Sequence, residues 1–159
     1  MPTAGEGAPD FTLPGVDGEG REIEVSLSGL RGRPVVLYFY PKDDTPGCTR
    51  QACGIRDAWP DFGALDAVVL GVSADDLDSH RKFQRKFDLP FTLLADTDHA
   101  VSEAYGVWKE KSMYGRRVMG IERSTFVIGP DGTIIQDFPR VKPDRHAADV
   151  LAALASGGR

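Results

Sequence analysis

The sequence predicts an α/β fold: a central mixed β-sheet flanked by helices, with an N-terminal β-hairpin as an extension. Three observations carry this. Residues 34–40 (PVVLYFY) and 67–73 (AVVLGVS) are continuous apolar, β-rich runs, which mark strands covered on both faces. Between them Ile55, Ala58, Trp59 and Phe62 recur three or four apart, a helical stripe, so strand, helix and strand form a βαβ unit with parallel strands. Further on, residues 124–128 and 133–135 flank Pro130-Asp131-Gly132, an antiparallel hairpin around a turn.

Taken in order, Phe11-Thr12-Leu13, the Asp17-Gly18 turn and residues 22–25 read as the opening hairpin. The strand at 34–40 follows, then one helix over 49–64 and the strand at 67–73. Asp78-Ser79 is placed to cap a helix through Phe83 and Phe87, which Pro90 stops. Residues 91–94 make a short apolar strand, and 96–98 open a short helix through Val101 and Tyr105. Residues 109–120 are polar and patternless and read as a loop. After the 124–135 hairpin, Asp144 is placed to cap a last helix with Val150, Leu151 and Leu154 on one face. A βαβ unit, a further strand, a hairpin and a terminal helix is the order of a thioredoxin-like domain.

The 159 residues suit one domain spanning 1–159, large enough to bury a core without disulfide staples. With 41% hydrophobic and 27% charged residues the composition is that of an ordinary globular protein. A net charge of −5 gives no electrostatic footprint for nucleic acid or an anionic membrane. Arg81-Lys82 and Arg85-Lys86 read as the wet face of a helix. No run approaches the roughly 18 apolar residues that span a bilayer. The Pro-, Gly- and acid-containing start shows no signal peptide, so a cytoplasmic protein is expected.

Both cysteines, Cys48 and Cys53, fall where the first long strand gives way to helix. In a reducing compartment such a pair is more often catalytic, metal-binding or incidental than structural. Zinc is poorly served, because no further cysteine exists and His80, His99 and His146 are scattered singly. Inert packing remains open, more for Cys53 than for Cys48, and the C-x-x-C of dithiol reductases is absent. Cys48 stands at or just before a helix N-terminus, where unpaired N–H groups and the dipole favour a thiolate. Residues five apart on a helix have Cα atoms roughly 8–9 Å apart, whereas a disulfide needs about 7 Å or less. The two could bond only if the first helical turn loosens.

Residues 39–49 (FYPKDDTPGCT) resemble the active-site signature of the peroxiredoxins, P-x-x-x-T-x-x-C, and the second cysteine five positions on resembles the bacterioferritin comigratory protein (PrxQ) branch. The likeness extends to Ala8-Pro9-Asp10-Phe11, to Tyr114-Gly115 and to residues 120–126 (GIERSTF), and so to nearly the whole chain. The resemblance implies a thioredoxin-dependent thiol peroxidase that reduces hydrogen peroxide and organic hydroperoxides to water and alcohols. It implies that Cys48 is the peroxidatic thiolate, oxidised to sulfenic acid. Thr45 and Arg123 would flank it and hold the peroxide, Pro41 would shield it, and the Gly47 and Cys48 N–H groups would bind peroxide oxygens. Cys53 would resolve the sulfenic acid as a Cys48–Cys53 disulfide, which thioredoxin or a similar dithiol reopens. No metal, haem or flavin is implied. The distant second cysteine on a C-terminal arm, seen in typical two-cysteine members, is absent, so a monomer is expected.

Other readings stay open: a one-cysteine peroxidase with an inert Cys53, and a sensor that registers peroxide without turnover. From the residues alone Thr45 could equally be a turn hydroxyl capping the helix, and Pro41 a strand stop. Lys42, Asp43 and Asp44 read as a solvated loop. Trp108, Met113 and Tyr114 read as cover for the core, or else as an apolar entrance for larger hydroperoxides.

Overall fold

In the computed structural model, which describes residues 1–157 and Met113 by its backbone alone, the axis of the sheet is β3 (Val35–Phe39). All five of its residues are buried, as the unbroken apolar run requires. Val36, Tyr38 and then Tyr40 pack on one face of the sheet, and Val35, Leu37 and Phe39 on the other. β4 (Val68–Ser73) lies parallel to β3, and β5 (Thr92–Ala95) parallel to β4. The hairpin β1 (Thr12–Val16) and β2 (Glu22–Ser26) adds at one edge through the antiparallel β1–β5 pair. On the other side β8 (Ser124–Ile128) runs antiparallel to β3, followed by β9 (Ile134–Phe138). The seven-stranded order is β2-β1-β5-β4-β3-β8-β9, the expected mixed sheet.

Helices cover both faces. On one lie α1 (Pro46–Asp57), α2 (Trp59–Ala64), α3 (Leu77–Phe87) and α5 (His146–Gly157), which bury Ala52, Ile55, Phe62, Phe83, Val150 and Leu154 against Tyr38 and Tyr40. On the other, α4 (Ala100–Ala104) and the N-terminal segment enclose Phe11, Leu13, Val101, Tyr105 and Phe126.

Several expectations need correction. The helix expected over 49–64 begins earlier, at Pro46, and breaks at Ala58. Pro60 has no N–H and its ring would clash with the carbonyl four residues back, which disfavours one continuous helix there. α3 is capped by Asp76, whose side chain accepts from the Ser79 N–H at 2.9 Å, and not by Asp78-Ser79. Asp144 does not cap α5: it lies in a 3-10 turn (Pro143–Arg145) and pairs with Arg50 on α1 at 3.0 Å. The loop expected at 109–120 is a hairpin, β6 (Trp108–Met113) with β7 (Arg116–Ile121). Tyr114 and Gly115, both at positive φ, form its two-residue turn. Its residues carry no apolar alternation because much of the ribbon is wet.

Candidate active site

Thr45 precedes α1 in extended conformation, and Pro46, Gly47 and Cys48 are the first three helical residues. Proline suits that first position because its missing N–H would have no partner there anyway. Thr49 N–H donates to the Thr45 carbonyl at 2.8 Å, starting the helical ladder. The Gly47 and Cys48 N–H groups have no intrahelical acceptor, as at any helix start. They stand at the positive end of the helix dipole, in the turn that carries Cys48. Cys48 itself is only 2% exposed, set against the Tyr38 and Ala52 layer.

Arg123 comes from a different part of the chain. Pairing of Phe39 with Ser124 brings the residue before β8 alongside the segment leaving β3. The Val141 N–H donates to the Arg123 carbonyl at 2.9 Å and holds that backbone. The Arg123 Nη1 lies 3.4 Å from Cys48 Sγ and donates to Gln51 Oε1 at 2.6 Å. A Cβ on Gly47 would stand 3.0 Å from Arg123 Nη2, so glycine there admits the guanidinium. Cys48, Gly47 and Arg123 are thus brought together.

The other expected residues stand as follows. The Thr45 hydroxyl does not cap α1; it donates to the Lys42 carbonyl at 2.8 Å and ties the loop before the helix. Pro41 is half-buried just past the end of β3. Cys53 lies on the same unbroken helix as Cys48, half-buried, and both thiols are free. Tyr114 is 98% exposed and covers nothing. Trp108 packs on the second core layer and stacks on His99 at 4.1 Å, which fits its reading as core cover. The side chain of Met113 lies outside the described residues.

Three functional candidates were missed. Gln51 is buried and sits three residues after Cys48 on the same helix face, a spacing that could have singled it out. Lys111, on β6, donates to the Ile121 carbonyl, and burial followed by the Arg123 charge pushes its ammonium below the usual lysine range. Asp43 is 7% exposed, contrary to the solvated loop expected, because it accepts from the Tyr40 hydroxyl and contacts His80 across the fold. No local pattern foretells a partner 37 residues away.

The floor of the site is neutral. His146 Nε2 lies 2.7 Å from the Thr125 hydroxyl, and burial, helped by Arg123, pushes the imidazole down to about 3. Burial also raises the Tyr38 phenol, and a negative charge on Cys48 would raise it further, so the hydroxyl keeps its proton. Among the described residues, Asp43, Asp75 and His80 bring potential metal-ligating atoms within 4.8 Å of one another. Those atoms are already engaged with one another and with Tyr40, Ser73 and Ser79.

A sulfur nearly sealed from water, beside a guanidinium and two free amides, suits attack on a small substrate whose departing oxygen gains negative charge. Comparison with known proteins points the same way. The AhpC/TSA family profile matches residues 4–137. The chain is 49% identical over 150 residues to peroxiredoxin Bcp of Bacillus subtilis, covering 94% of this chain and 93% of that one. The structure superposes with TM-score 0.84 on the Xanthomonas campestris bacterioferritin comigratory protein, a protein with alkyl peroxide reduction activity. That match has 41% identity and covers 92% of each chain. The Mycobacterium tuberculosis peroxidoxin BcpB matches with TM-score 0.83 and 33% identity over 98% of both chains.

Proposed function

Since this chain belongs to the AhpC/TSA family, in its Bcp branch, and is a thiol peroxidase, we propose that Cys48 is its peroxidatic nucleophile and Cys53 its resolving thiol. The observation that supports this best is Arg123 Nη1 at 3.4 Å from a sulfur that also begins a helix. Thiolate attack forms the S–O bond as the peroxide O–O bond breaks. Cys48 becomes sulfenic acid, and the departing alkoxide or hydroxide takes a proton. Arg123, held by Gln51, balances charge on the sulfur and then on the departing oxygen. The Gly47 and Cys48 amides orient the peroxide, Thr45 fixes the loop that sets the helix start, and Pro41 limits water at the sulfur.

Resolution requires α1 to open. With Cα atoms roughly 8–9 Å apart in the intact helix, Cys53 reaches Cys48 only after the first turns unwind. The Cys53 thiolate then displaces hydroxide from the sulfenic sulfur, leaving an intramolecular disulfide that thioredoxin or a similar dithiol reduces. The enzyme works in the cytoplasm as a monomer, since the pair closes within one chain. No described helix is long and apolar enough to cross a membrane.

A peroxide-consumption assay with a thioredoxin system, run on the parent, Cys48→Ser and Cys53→Ser, tests this reading. Cys48→Ser should lose all activity with its fold intact, because an alcohol is not ionised near neutral pH. Many peroxides should be consumed per chain, where a sensor would consume about one. Non-reducing electrophoresis after peroxide should show a faster monomer. Residual activity in Cys48→Ser, or full conversion to a disulfide-linked dimer, would refute the assignment.

A further inference from the structure

We propose that Asp43 and His80 form a buried, proton-sharing latch that positions the loop leading to Cys48, making both of them positioning residues for peroxide attack. This deepens the proposed function and rests on Cys48 being the nucleophile.

The segment of residues 40–45 joins β3 to α1 and carries Thr45. Lys42 and Asp44 are exposed, yet Asp43 between them is buried and His80 on α3 is 0% exposed. Asp43 Oδ1 accepts from the Tyr40 hydroxyl at 2.6 Å, and Oδ2 accepts from the Ser79 hydroxyl at 2.8 Å. His80 Nδ1 lies 2.7 Å from the same Oδ2. The Asp43 N–H donates to Asp75 Oδ2 at 2.8 Å, and Asp75 is held in turn by the Ser73 hydroxyl at 2.7 Å. One loop residue is therefore tied to the end of β4 and to α3 at the same time.

Donors and acceptors decide where the protons are. His80 Nε2 faces the Leu94 carbonyl at 2.8 Å, and a carbonyl only accepts, so Nε2 carries a proton. Oδ2 already receives Ser79, so the short contact to Nδ1 needs a further proton between the two atoms. The pair then holds two protons and has no net charge, which suits complete burial. Losing either partner would leave several polar groups unpaired in the interior.

The tie matters for chemistry because of what lies next to it. Asp44, at φ 57, turns the chain in the left-handed region, and Thr45 follows as the residue that starts α1. The start of α1 must melt and re-form in each catalytic cycle, and a fixed upstream anchor returns Thr45 and the Gly47 and Cys48 amides to the same place. Without it, attack would proceed from a displaced geometry, and misplacement by an ångström costs up to about 100-fold.

The test has two independent parts. In reduced, ¹⁵N-labelled parent protein, imidazole NMR should show protons on both His80 nitrogens, with the Nδ1 proton far downfield and slow to exchange. In single-turnover kinetics, Asp43→Ala should slow Cys48 oxidation by hydrogen peroxide by about 10–100-fold. Its alkylation by iodoacetamide, which needs no loop groups, should not slow. Asp43→Asn, able to donate to a neutral His80 while accepting from Tyr40, should recover most of the rate. If Asp43→Ala fails to fold, His80→Gln serves in the kinetic arm. A His80 Nδ1 without a proton, or a folded variant that attacks peroxide at the parent rate, overturns the latch. Activity surviving in Cys48→Ser would instead overturn the functional reading beneath it, which the NMR result does not depend on.

Discussion

Gly54→Ala separates helix opening from active-site chemistry. Gly54 follows Cys53 on α1, and a Cβ there meets nothing within 4 Å, so alanine adds no clash and touches no group of the site. Its φ is not in the left-handed region, and alanine stabilises a helical position over glycine by about 0.5–1 kcal/mol. If the opening that lets Cys53 reach Cys48 includes residue 54, the open population falls by that energy, a factor of about 2–5 at RT of about 0.6 kcal/mol. Peroxide attack should be unchanged and resolution slower, so more sulfenic acid meets a second peroxide and becomes sulfinic acid. Mass spectrometry of Cys48 across a peroxide titration should show half-overoxidation at about 2–5-fold lower peroxide than in the parent. The melting temperature should rise by about 1–4 °C. A raised melting temperature with unchanged peroxide sensitivity would mean that resolution does not melt this part of the helix.

Three further outcomes are expected. Arg123→Met should leave the fold intact and slow peroxide attack by about 100-fold, as loss of one donor to a developing oxyanion does; a parent-like rate by stopped flow would remove Arg123 from the site. Cys53→Ser should keep one fast turnover, lose cycling with thioredoxin and accumulate sulfinic acid at Cys48; sustained cycling would make Cys53 inert. The third concerns pH. His146 is held neutral down to about 3, whereas in the unfolded chain it titrates near the usual 6.5. Its contribution is therefore complete above pH 6.5 and is lost as pH falls toward 3. At pH 5 the loss is about 2 kcal/mol. Urea unfolding at pH 7.5 and pH 5 should show that loss in the parent and not in His146→Gln; equal losses in both would refute it.

How much was legible in the chain depended on whether the information was local. β3 and β4 were plain because strands buried on both faces must be apolar at every position. The hairpin β6–β7 was not, since an exposed ribbon needs no alternation and Tyr114-Gly115 alone is a slight signal. The break at Ala58 has a local signal in Pro60, two residues on. Within the site, the segment from Pro41 to Cys53 is one contiguous stretch, so the sulfur, its helix start and the loop before it could be read together. Arg123 was found only through family resemblance, because a charge ahead of a buried strand is ordinarily a surface charge.

By itself the sequence determined where the two sulfurs lie and how they are constrained: two cysteines five apart across a helix start, with a disulfide out of reach until the helix opens. Tertiary structure alone decided what surrounds that sulfur. The β3–β8 register brings Arg123 to Cys48 from 75 residues away, and Gln51 fixes the guanidinium there. The β3–β4 pairing sets Asp75 beside Asp43, and α3 lays His80 against it, turning a loop that reads as wet into a buried anchor. The reason is physical. Spacing along a helix or strand is set by backbone geometry, whereas a contact between distant residues depends on sheet register and on which helix covers which face.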